Sequence, residues 1–354
     1  MIQELVRKNI RNLKPYTSAR DIYSRGILLD ANENSFGSVL DITGETLNRY
    51  PDPHQMSMRE WLGAYLGIPY QKLFFGVGSD EIIDLLIRIF CEPGKDSIMI
   101  LEPTYGMYKV AADINDIRSE TVLLNDNFDI DTEAVINSWN NRIKLIFLCS
   151  PNNPTANLLN KTSIKKLLQK TKSIIVVDEA YIDFAGDDNS CIDISNEFPN
   201  LVILRTFSKA WGLAGIRLGY CICDEEIINY LFKIKAPYNI NSLTRKAFHE
   251  AFSNSGRKDE FVSSILAEKQ YLIKELNKIK NIEKLFPSDT NYILIKIKDA
   301  SSIQKLLAEE GIIIRDRSSQ PGLENCLRIT VGTHDQNKQL LDLLHKVLNK
   351  KKDI

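Results

Sequence analysis

The sequence predicts an α/β protein with a large domain, built on a mainly parallel central sheet covered by helices, and a smaller α+β domain. Two observations support this prediction. Short runs rich in Ile, Val and Leu recur between residues 97 and 223, and segments with apolar residues at helical spacing separate them. Because the runs are continuously apolar rather than alternating, we expect strands that are buried on both faces, as in a parallel sheet.

The predicted strands follow one another with helical segments between them. One such segment, "NKTSIKKLLQKT" (160–171), places its apolar residues on one face of a helix. Upstream, "FGVGSDEIIDLLIRIF" (75–90) combines a glycine-containing turn with an amphipathic helix. The predicted strands are "SIMIL" (97–101), "KLIFLCS" (144–150), "SIIVVDEA" (173–180), "LVILRT" (201–206) and "RLGYCIC" (217–223).

The pattern changes beyond residue 241. A long, charged, helical stretch continues to residue 280, and strand-like "TNYILIKIK" (290–298) and helix-like "SSIQKLLAEEG" (301–311) follow it. This alternation predicts a smaller α+β unit, which we expect to share its layer with the N-terminal segment. The predicted domains are residues 30–270 for the large domain, and residues 1–29 with 271–354 for the small domain.

Composition and charge exclude several classes of function. The chain has 354 residues, of which 44% are hydrophobic and 26% charged, and its net charge of -1 offers no basic surface for nucleic acid. The start of the chain lacks the apolar segment of a secretory signal, and no apolar run reaches the roughly 18 residues of a membrane helix. We therefore expect a cytoplasmic protein that binds neither nucleic acid nor membranes.

The cysteines form no CxxC pair and the histidines show no ligand spacing, so we expect reduced thiols and no metal site.

Polar and charged side chains follow several of the predicted strands. Asp178 and Tyr181 come after one strand. Asn153 follows a second strand, and Ser208 and Lys209 follow a third. Because ligands of parallel α/β sheets bind at the carboxyl ends of the strands, we expect these side chains to share one crevice.

A turn suited to a phosphate precedes the amphipathic helix of residues 75–90. In "GVGSD", the free N–H groups around Ser79 and the positive end of the helix dipole would favour an anion. By itself, this motif is equally consistent with a plain helix N-cap.

The surroundings of Lys209 indicate a cofactor. A lysine that forms an imine must be positioned rather than solvated, and its place between a strand and a loop does this. An aspartate such as Asp178, set against a pyridine nitrogen, keeps that nitrogen protonated and the ring able to accept electrons. Ser208 and Arg217 would hold a phosphate. Each residue singly has an ordinary structural explanation, but together they predict pyridoxal 5′-phosphate.

Sequence blocks in a fixed order resemble known enzymes. "SPNNPTA", "VVDEAYIDF" and "RTFSKAWGLAGIRLGY" resemble the class II aminotransferases of fold type I. The blocks "LLDANENSFG", "NRYPDP", "GVGSDEIID" and "GIIIRDRSSQPGLENCLRITVGT" resemble the histidinol-phosphate aminotransferase family in particular. The resemblance extends from about Leu13 to Thr333. It departs at Ala156, where the family pattern has a glycine, and at Trp211, where some relatives have another residue.

The resemblance implies a role for each matching residue. Lys209 would form the Schiff base with the cofactor and move the proton of the substrate α-carbon. Asp178 would pair with the pyridine nitrogen, and Tyr105 would stack on the ring. Tyr181, also assigned to catalysis, and Asn153 would hold the ring oxygen. The residues implied at the cofactor phosphate are Ser79, Asp80, Thr206, Ser208, Arg217 and, from the second subunit of a homodimer, Tyr50.

The substrate side follows from the same resemblance. Arg328 would take the substrate carboxylate, and Tyr16, Asn32 and Arg315 would lie nearby. Because guanidinium groups bind carboxylate and phosphate alike, we expect Arg328 and Arg315 to serve both kinds of anion.

The implied reaction is exchange of an amino group between histidinol phosphate, or its keto partner imidazole acetol phosphate, and 2-oxoglutarate or glutamate, in L-histidine biosynthesis. Three alternatives stay open at this point. They are an aromatic amino-acid aminotransferase, a threonine-phosphate decarboxylase, and a non-catalytic regulator of the same fold. The presence of Lys209, Asp178 and Arg217 argues against the regulator.

Overall fold

The computed structural model describes residues 1–14 and 46–350, and this part of the chain forms two β-sheets. The strands of the larger sheet are β1 (Leu73–Val77), β2 (Ser97–Glu102), β3 (Arg118–Leu123), β4 (Ile143–Cys149), β5 (Ile174–Asp178), β6 (Leu201–Thr206) and β7 (Leu218–Cys223). Their order across the sheet is β1-β7-β6-β5-β4-β2-β3. Neighbours among β2 to β6 are parallel, whereas β7 is antiparallel to both β6 and β1. The predicted mainly parallel sheet is therefore confirmed.

Helices cover both faces of this sheet and one face of the smaller sheet. Short 3-10 turns occur between them at residues 70–72, 182–184, 187–189, 191–194 and 214–216. The helices in the described ranges are α1 (Ile2–Leu5), α2 (Lys8–Asn12), α3 (Met56–Leu66), α4 (Gly78–Phe90), α5 (Met107–Ile114), α6 (Thr132–Ser138), α7 (Lys161–Lys170), α8 (Glu225–Ile234), α9 (Ser242–Ser253), α10 (Ser255–Leu276), α11 (Ala300–Glu309) and α12 (His334–Lys350).

The residues of the larger sheet alternate between two apolar cores, one on each face. In β5, Ile174 and Val176 pack into one core, and Ile175 and Val177 pack into the other. All four side chains are fully buried. A strand covered on both faces has no position for a polar residue, which explains why its sequence is continuously apolar.

Helix α4 begins directly at the end of β1. Its apolar face, which includes Ile82, Ile83 and Leu86, is buried against the sheet. The carboxylate of Glu81 accepts a hydrogen bond from the backbone N–H of Val77 at 2.6 Å, and this fixes the turn that enters the helix. The N-terminus of α4 therefore lies at the same edge of the sheet as the carboxyl ends of the parallel strands.

The smaller sheet contains β8 (Ile282–Leu285), β9 (Tyr292–Ile297), β10 (Arg315–Asp316) and β11 (Cys326–Thr330). Its order is β10-β11-β9-β8, and all its pairs are antiparallel. Helices α10, α11 and α12 bury one face of it through a separate apolar core. The predicted α+β unit in the C-terminal part of the chain is present.

The start of the chain packs against the larger sheet. Ile2 and Val6 lie in the same apolar core as Phe90, and the backbone N–H of Arg7 donates to the carbonyl of Ile89 at 2.9 Å. These contacts place α1 beside α4. The predicted domains, residues 30–270 for the large domain and residues 1–29 with 271–354 for the small domain, stay a proposal.

All six cysteines are buried with free thiols, as the sequence predicts. Within residues 1–14 and 46–350, no helix is long and apolar enough to cross a membrane.

Candidate active site

One cavity lies at the carboxyl ends of the parallel strands. The sequence-predicted residues from four separate strand ends and from the start of α4 meet there. The predicted cofactor residues that line the cavity are Ser79, Asp80, Tyr105, Asn153, Asp178, Tyr181, Thr206, Ser208, Lys209 and Arg217.

Asp178 is the last residue of β5 and is almost fully buried. Its carboxylate accepts hydrogen bonds from the hydroxyl of Tyr108 at 2.8 Å and from the backbone N–H of Ala180 at 3.1 Å. Burial raises the pKa of Asp178 to about 6, and the hydrogen bond from Tyr108 opposes this shift. The site therefore holds a buried acid whose charge is only partly compensated by its neighbours.

Lys209 lies in the turn that follows β6. Its carbonyl accepts the backbone N–H of Gly212 at 3.0 Å, which closes the turn. The ammonium nitrogen lies 5.6 Å from the centroid of the Tyr181 ring. Partial burial and, next, the charge of Arg328 lower the pKa of Lys209. A lowered pKa increases the fraction of neutral amine, the form that acts as nucleophile and base.

The turn before α4 and the loop before β7 approach each other closely. Gly78 has φ +72° and donates its N–H to the carbonyl of Arg217 at 2.9 Å. A Cβ at Gly78 would lie 2.7 Å from Nη2 of Arg217. The same Nη2 lies 3.4 Å from the carboxylate of Asp80, and the Arg217 side chain is half-exposed. The positive φ favours glycine at this position, and the close approach places a guanidinium beside the helix N-terminus.

Hydroxyl groups lie beside this turn. Thr206 Oγ1 donates to Ser208 Oγ at 3.0 Å and accepts the backbone N–H of Ser208 at 3.1 Å. Asp80 also accepts a hydrogen bond from the hydroxyl of Tyr105 at 3.2 Å. The carboxylate of Asp80 is thus engaged with Arg217 and Tyr105.

An arginine of the smaller sheet reaches into this region. Arg328, on β11, donates from Nη1 to Oδ1 of Asn153 at 2.5 Å, and its guanidinium lies 5.1 Å from the centroid of the Tyr292 ring. Arg315, on β10, is the direct cross-strand partner of Arg328 and is exposed. The predicted pair of substrate arginines is therefore adjacent in the structure.

The loop between β4 and α7 is hydrogen-bonded to the smaller sheet and the segment before it. The hydroxyl of Tyr292 donates to the carbonyl of Asn152 at 2.6 Å. The N–H of Asp289 donates to the carbonyl of Ala156 at 2.8 Å, and the N–H of Leu158 donates to the Asp289 carboxylate at 2.9 Å. Ala156 is fully buried with φ +72°, a conformation that costs an L-residue about 1–2 kcal/mol and explains the glycine of the family pattern.

One predicted cofactor residue does not line this cavity. Tyr50 is outside the cavity and stacks on Tyr238 with ring centroids 4.5 Å apart. Tyr16 and Asn32 fall outside the described residues.

The sequence analysis missed Tyr108, which orients Asp178. Its ring is fully buried and stacks on Phe147 at 4.8 Å between centroids. Tyr108 comes one helical turn after Tyr105, and this spacing is the signal by which it could have been found. Gly78, Cys149, Ala180 and Ala214 also line the cavity and were not assigned to it.

Comparison with known proteins identifies the family of this chain. Residues 25–344 match the family model described as aminotransferase class I and II. The chain belongs to this family. This aminotransferase is 48% identical to the histidinol-phosphate aminotransferase of Cytophaga hutchinsonii, over 97% of this chain and 98% of the relative. It is 44% identical to the histidinol-phosphate aminotransferase of Flavobacterium johnsoniae, over 98% of this chain and 99% of the relative.

The fold of this aminotransferase also matches solved structures. The crystal structure of histidinol-phosphate aminotransferase from Clostridium acetobutylicum superposes with a TM-score of 0.79 and 27% identity, covering 86% of this chain and 92% of the other. L-threonine-O-3-phosphate decarboxylase from Porphyromonas gingivalis superposes with a TM-score of 0.73 at 22% identity, covering 86% of this chain and 91% of the other. The second likeness shows a shared fold alone.

Proposed function

We propose that the protein is a pyridoxal 5′-phosphate-dependent transaminase that exchanges an amino group between histidinol phosphate and 2-oxoglutarate, or between imidazole acetol phosphate and glutamate, in L-histidine biosynthesis. The observation that most supports this proposal is the cavity that combines Lys209, Asp178 and the α4 turn. The names of relatives that are 42–48% identical over nearly the whole chain support the substrate assignment.

The residues present fit this cofactor. Asp178 is a buried acid with a raised pKa and would gain a cationic partner in a protonated ring nitrogen. At the other end of the cavity, the tight turn at Gly78 and the side chain of Arg217 form a cradle for an anion. When bound, pyridoxal 5′-phosphate supplies an aldehyde that reacts with amines and a ring that accepts electrons from the substrate α-carbon.

Lys209 would hold the cofactor covalently through Nζ. The same Nζ would be placed to take up the proton of the substrate α-carbon. Its lowered pKa favours this role, because a base must be neutral before it accepts a proton. The nearby ring of Tyr181 limits the positions that the Lys209 side chain can occupy.

Asp178 would keep the ring nitrogen protonated through a charge-assisted hydrogen bond. Tyr108 and the N–H of Ala180 hold the carboxylate in place for this contact. Tyr105 would stack on the ring, and Tyr181 and Asn153 would orient the ring oxygen. The backbone N–H groups of Ser79 and Asp80 at the N-terminus of α4 would bind the phosphate, together with Thr206, Ser208 and Arg217.

Arg328 and Arg315 would bind the anionic groups of the two substrates. Their adjacency across β10 and β11 allows two anions, or one large anion, to be held on the same side of the cavity. We also propose, from the family resemblance, that Tyr16 and Asn32 line the substrate side, that Tyr50 is supplied by the second subunit of a homodimer, and that the enzyme is cytoplasmic.

Steady-state kinetics test the substrate assignment. We expect kcat/KM for histidinol phosphate to exceed that for phenylalanine and for threonine phosphate. A larger value for phenylalanine would establish the aromatic aminotransferase instead, and carbon dioxide release from threonine phosphate would establish the decarboxylase.

Borohydride reduction tests the cofactor assignment independently of the substrate. Reduction of the purified enzyme followed by peptide mapping should place the cofactor on Lys209. Lys209→Ala should abolish the label, whereas Lys258→Ala, which removes another partly buried lysine close to Trp211, should retain it. A label on any other lysine would refute the role of Lys209.

A further inference from the structure

A third arginine lies beside the predicted substrate pair. Arg317 follows β10, and its backbone N–H donates to the carbonyl of Cys326 at 2.9 Å, so it continues the antiparallel pairing with β11. Arg315 and Arg317 are two residues apart and therefore point to the same face of the sheet. Arg328 is the direct partner of Arg315 and shares that face.

The intervening residue confirms this direction. Asp316 accepts hydrogen bonds from Ser301, on α11, and from Ser318. Its carboxylate thus points to the helix-covered face of the smaller sheet. The side chains of Arg315 and Arg317 consequently lie on the opposite face, where Arg328 contacts Asn153.

Two of these guanidinium groups have unused donors. The Nε atoms of Arg317 and Arg328 are buried and have no hydrogen-bond partner in the part of the chain that the structure describes. Within that part, no carboxylate lies within ion-pair distance of Arg315, Arg317 or Arg328 either. A buried donor left without an acceptor costs roughly 1–3 kcal/mol, so these groups favour an acceptor beyond the described residues.

Repulsion among the three guanidinium groups also favours a bound anion on this face. Burial and, next, the charges of Arg328 and Arg315 lower the pKa of Arg317. Three guanidinium groups this close together therefore destabilise one another. An anion on this face would offset the repulsion, and a dianion would do so more completely than a single carboxylate.

We propose that Arg317 is a specificity-determining residue that, together with Arg315, binds the phosphate monoester of the substrate. This inference rests on the proposed function. A phosphate dianion has three terminal oxygens in a tetrahedral arrangement, and it can accept from more donors than a planar carboxylate can. Arg328, which already donates to Asn153, is then left to serve the carboxylate of the second substrate.

The test compares the holoenzyme with its Arg317→Gln variant, in which the side chain keeps an amide donor but loses the charge and the fork. We expect kcat/KM for histidinol phosphate to fall by about 10–100-fold, as for loss of a charge-assisted pair. The value for phenylalanine, which has no phosphate, should change less than about threefold. Arg317→Lys should recover part of the loss, because it restores the charge without the two parallel donors.

A binding measurement separates this inference from the proposed function. Calorimetric titration of the holoenzyme with inorganic phosphate needs no turnover, and the filled cofactor site cannot compete for the ion. We expect affinity to fall about tenfold or more in Arg317→Gln. Arg257→Gln, which removes an arginine packed on Phe261 of α10, should leave the affinity unchanged.

The outcomes are distinct. Equal losses for histidinol phosphate and phenylalanine, or unchanged phosphate affinity in Arg317→Gln, would overturn the inference and leave Arg317 a purely structural residue. If the unmutated enzyme does not turn over histidinol phosphate, the proposed function fails, and the phosphate titration alone then decides whether Arg317 binds this anion.

Discussion

The buried carboxylate of Asp178 destabilises the cofactor-free protein at neutral pH. Its pKa is 3.8 in an ordinary setting and is raised to about 6 in the folded chain. The folded state therefore binds more protons than the unfolded state between these values, so the free energy of unfolding falls as pH rises through this window. Above it, the penalty reaches about 3 kcal/mol, since one pKa unit corresponds to about 1.4 kcal/mol.

Replacing Asp178 by asparagine should remove this penalty and the activity together. We expect Asp178→Asn to raise the Tm of the cofactor-free protein at pH 8. At pH 4.5 only about one third of the stabilisation should remain, because Asp178 is then mostly protonated in the folded state, whereas asparagine does not titrate. The same change should lower the transamination rate by orders of magnitude, because the ring nitrogen loses its partner. Thermal unfolding at both pH values, with kinetics of the reconstituted variant, measures both effects.

A matched control is Asp113→Asn on the exposed side of α5, which should leave Tm unchanged at both pH values. If the Tm of Asp178→Asn lies below that of the unmutated protein by the same amount at pH 8 and at pH 4.5, ionisation of Asp178 does not destabilise the folded state.

Residues at strand ends could be assigned to the site from the sequence, because the carboxyl ends of parallel strands share one edge of the sheet. This reasoning covered Asp178, Asn153 and Lys209. Tyr108 and Arg317 could not be assigned in this way. Whether Tyr108 reaches Asp178 depends on how α5 is rotated, and whether Arg317 lies beside Arg328 depends on how β10 pairs with β11. Residue type fixes neither of these.

At the scale of elements, the turn into α4 supports a test of the phosphate cradle. Gly78→Ala would place a methyl group against the Arg217 guanidinium in addition to straining a positive φ. We expect the affinity for pyridoxal 5′-phosphate to fall by on the order of tenfold, because the displaced guanidinium no longer meets the anion. Titration of each cofactor-free protein with pyridoxal 5′-phosphate, followed by absorbance, gives the dissociation constants of the unmutated protein and of the variant.

Gly67→Ala is the control for backbone strain. Gly67 ends α3 with φ +67°, and a Cβ there would meet no atom within 4 Å. Both variants should lose about 1 kcal/mol of stability, the usual cost of a left-handed conformation. Only Gly78→Ala should weaken cofactor binding, and equal affinities in the two variants would contradict the cradle.

The sequence predicted the buried strands better than the peripheral ones. The runs that became β2, β4, β5 and β6 are continuously apolar because each strand is covered on both faces. Strand β3 was not predicted, because it lies at the edge of the sheet and most of its residues are at least partly exposed. The antiparallel direction of β7 was also not predicted, because a continuously apolar sequence is compatible with either strand direction.

At the scale of the whole molecule, the position of Tyr50 bears on the predicted homodimer. The side chain of Tyr50 is half-exposed and stacks on Tyr238, and it lies outside the cavity of its own chain. We expect sedimentation to show a dimer. Mixing Tyr50→Phe with Lys209→Ala should restore activity in hybrid dimers, because one of the two sites then has both an intact tyrosine and an intact lysine. An active monomer, or mixtures with no recovery, would contradict a shared site.

The hydrogen bonds between the β4–α7 loop and the segment at residues 289–292 have a consequence for motion. They attach Asn153 to the smaller sheet, whereas Asp178 and Lys209 belong to the larger one. A rotation of one sheet relative to the other, on the microsecond to millisecond timescale of domain motions, would therefore move Asn153 relative to Asp178 and Lys209. Binding of an anion by Arg328 would act on Asn153, to which its guanidinium donates a hydrogen bond. The amides of Ala156, Leu158 and Asp289 should then exchange with deuterium as one cooperative unit, faster in the free enzyme than in the enzyme closed on substrate.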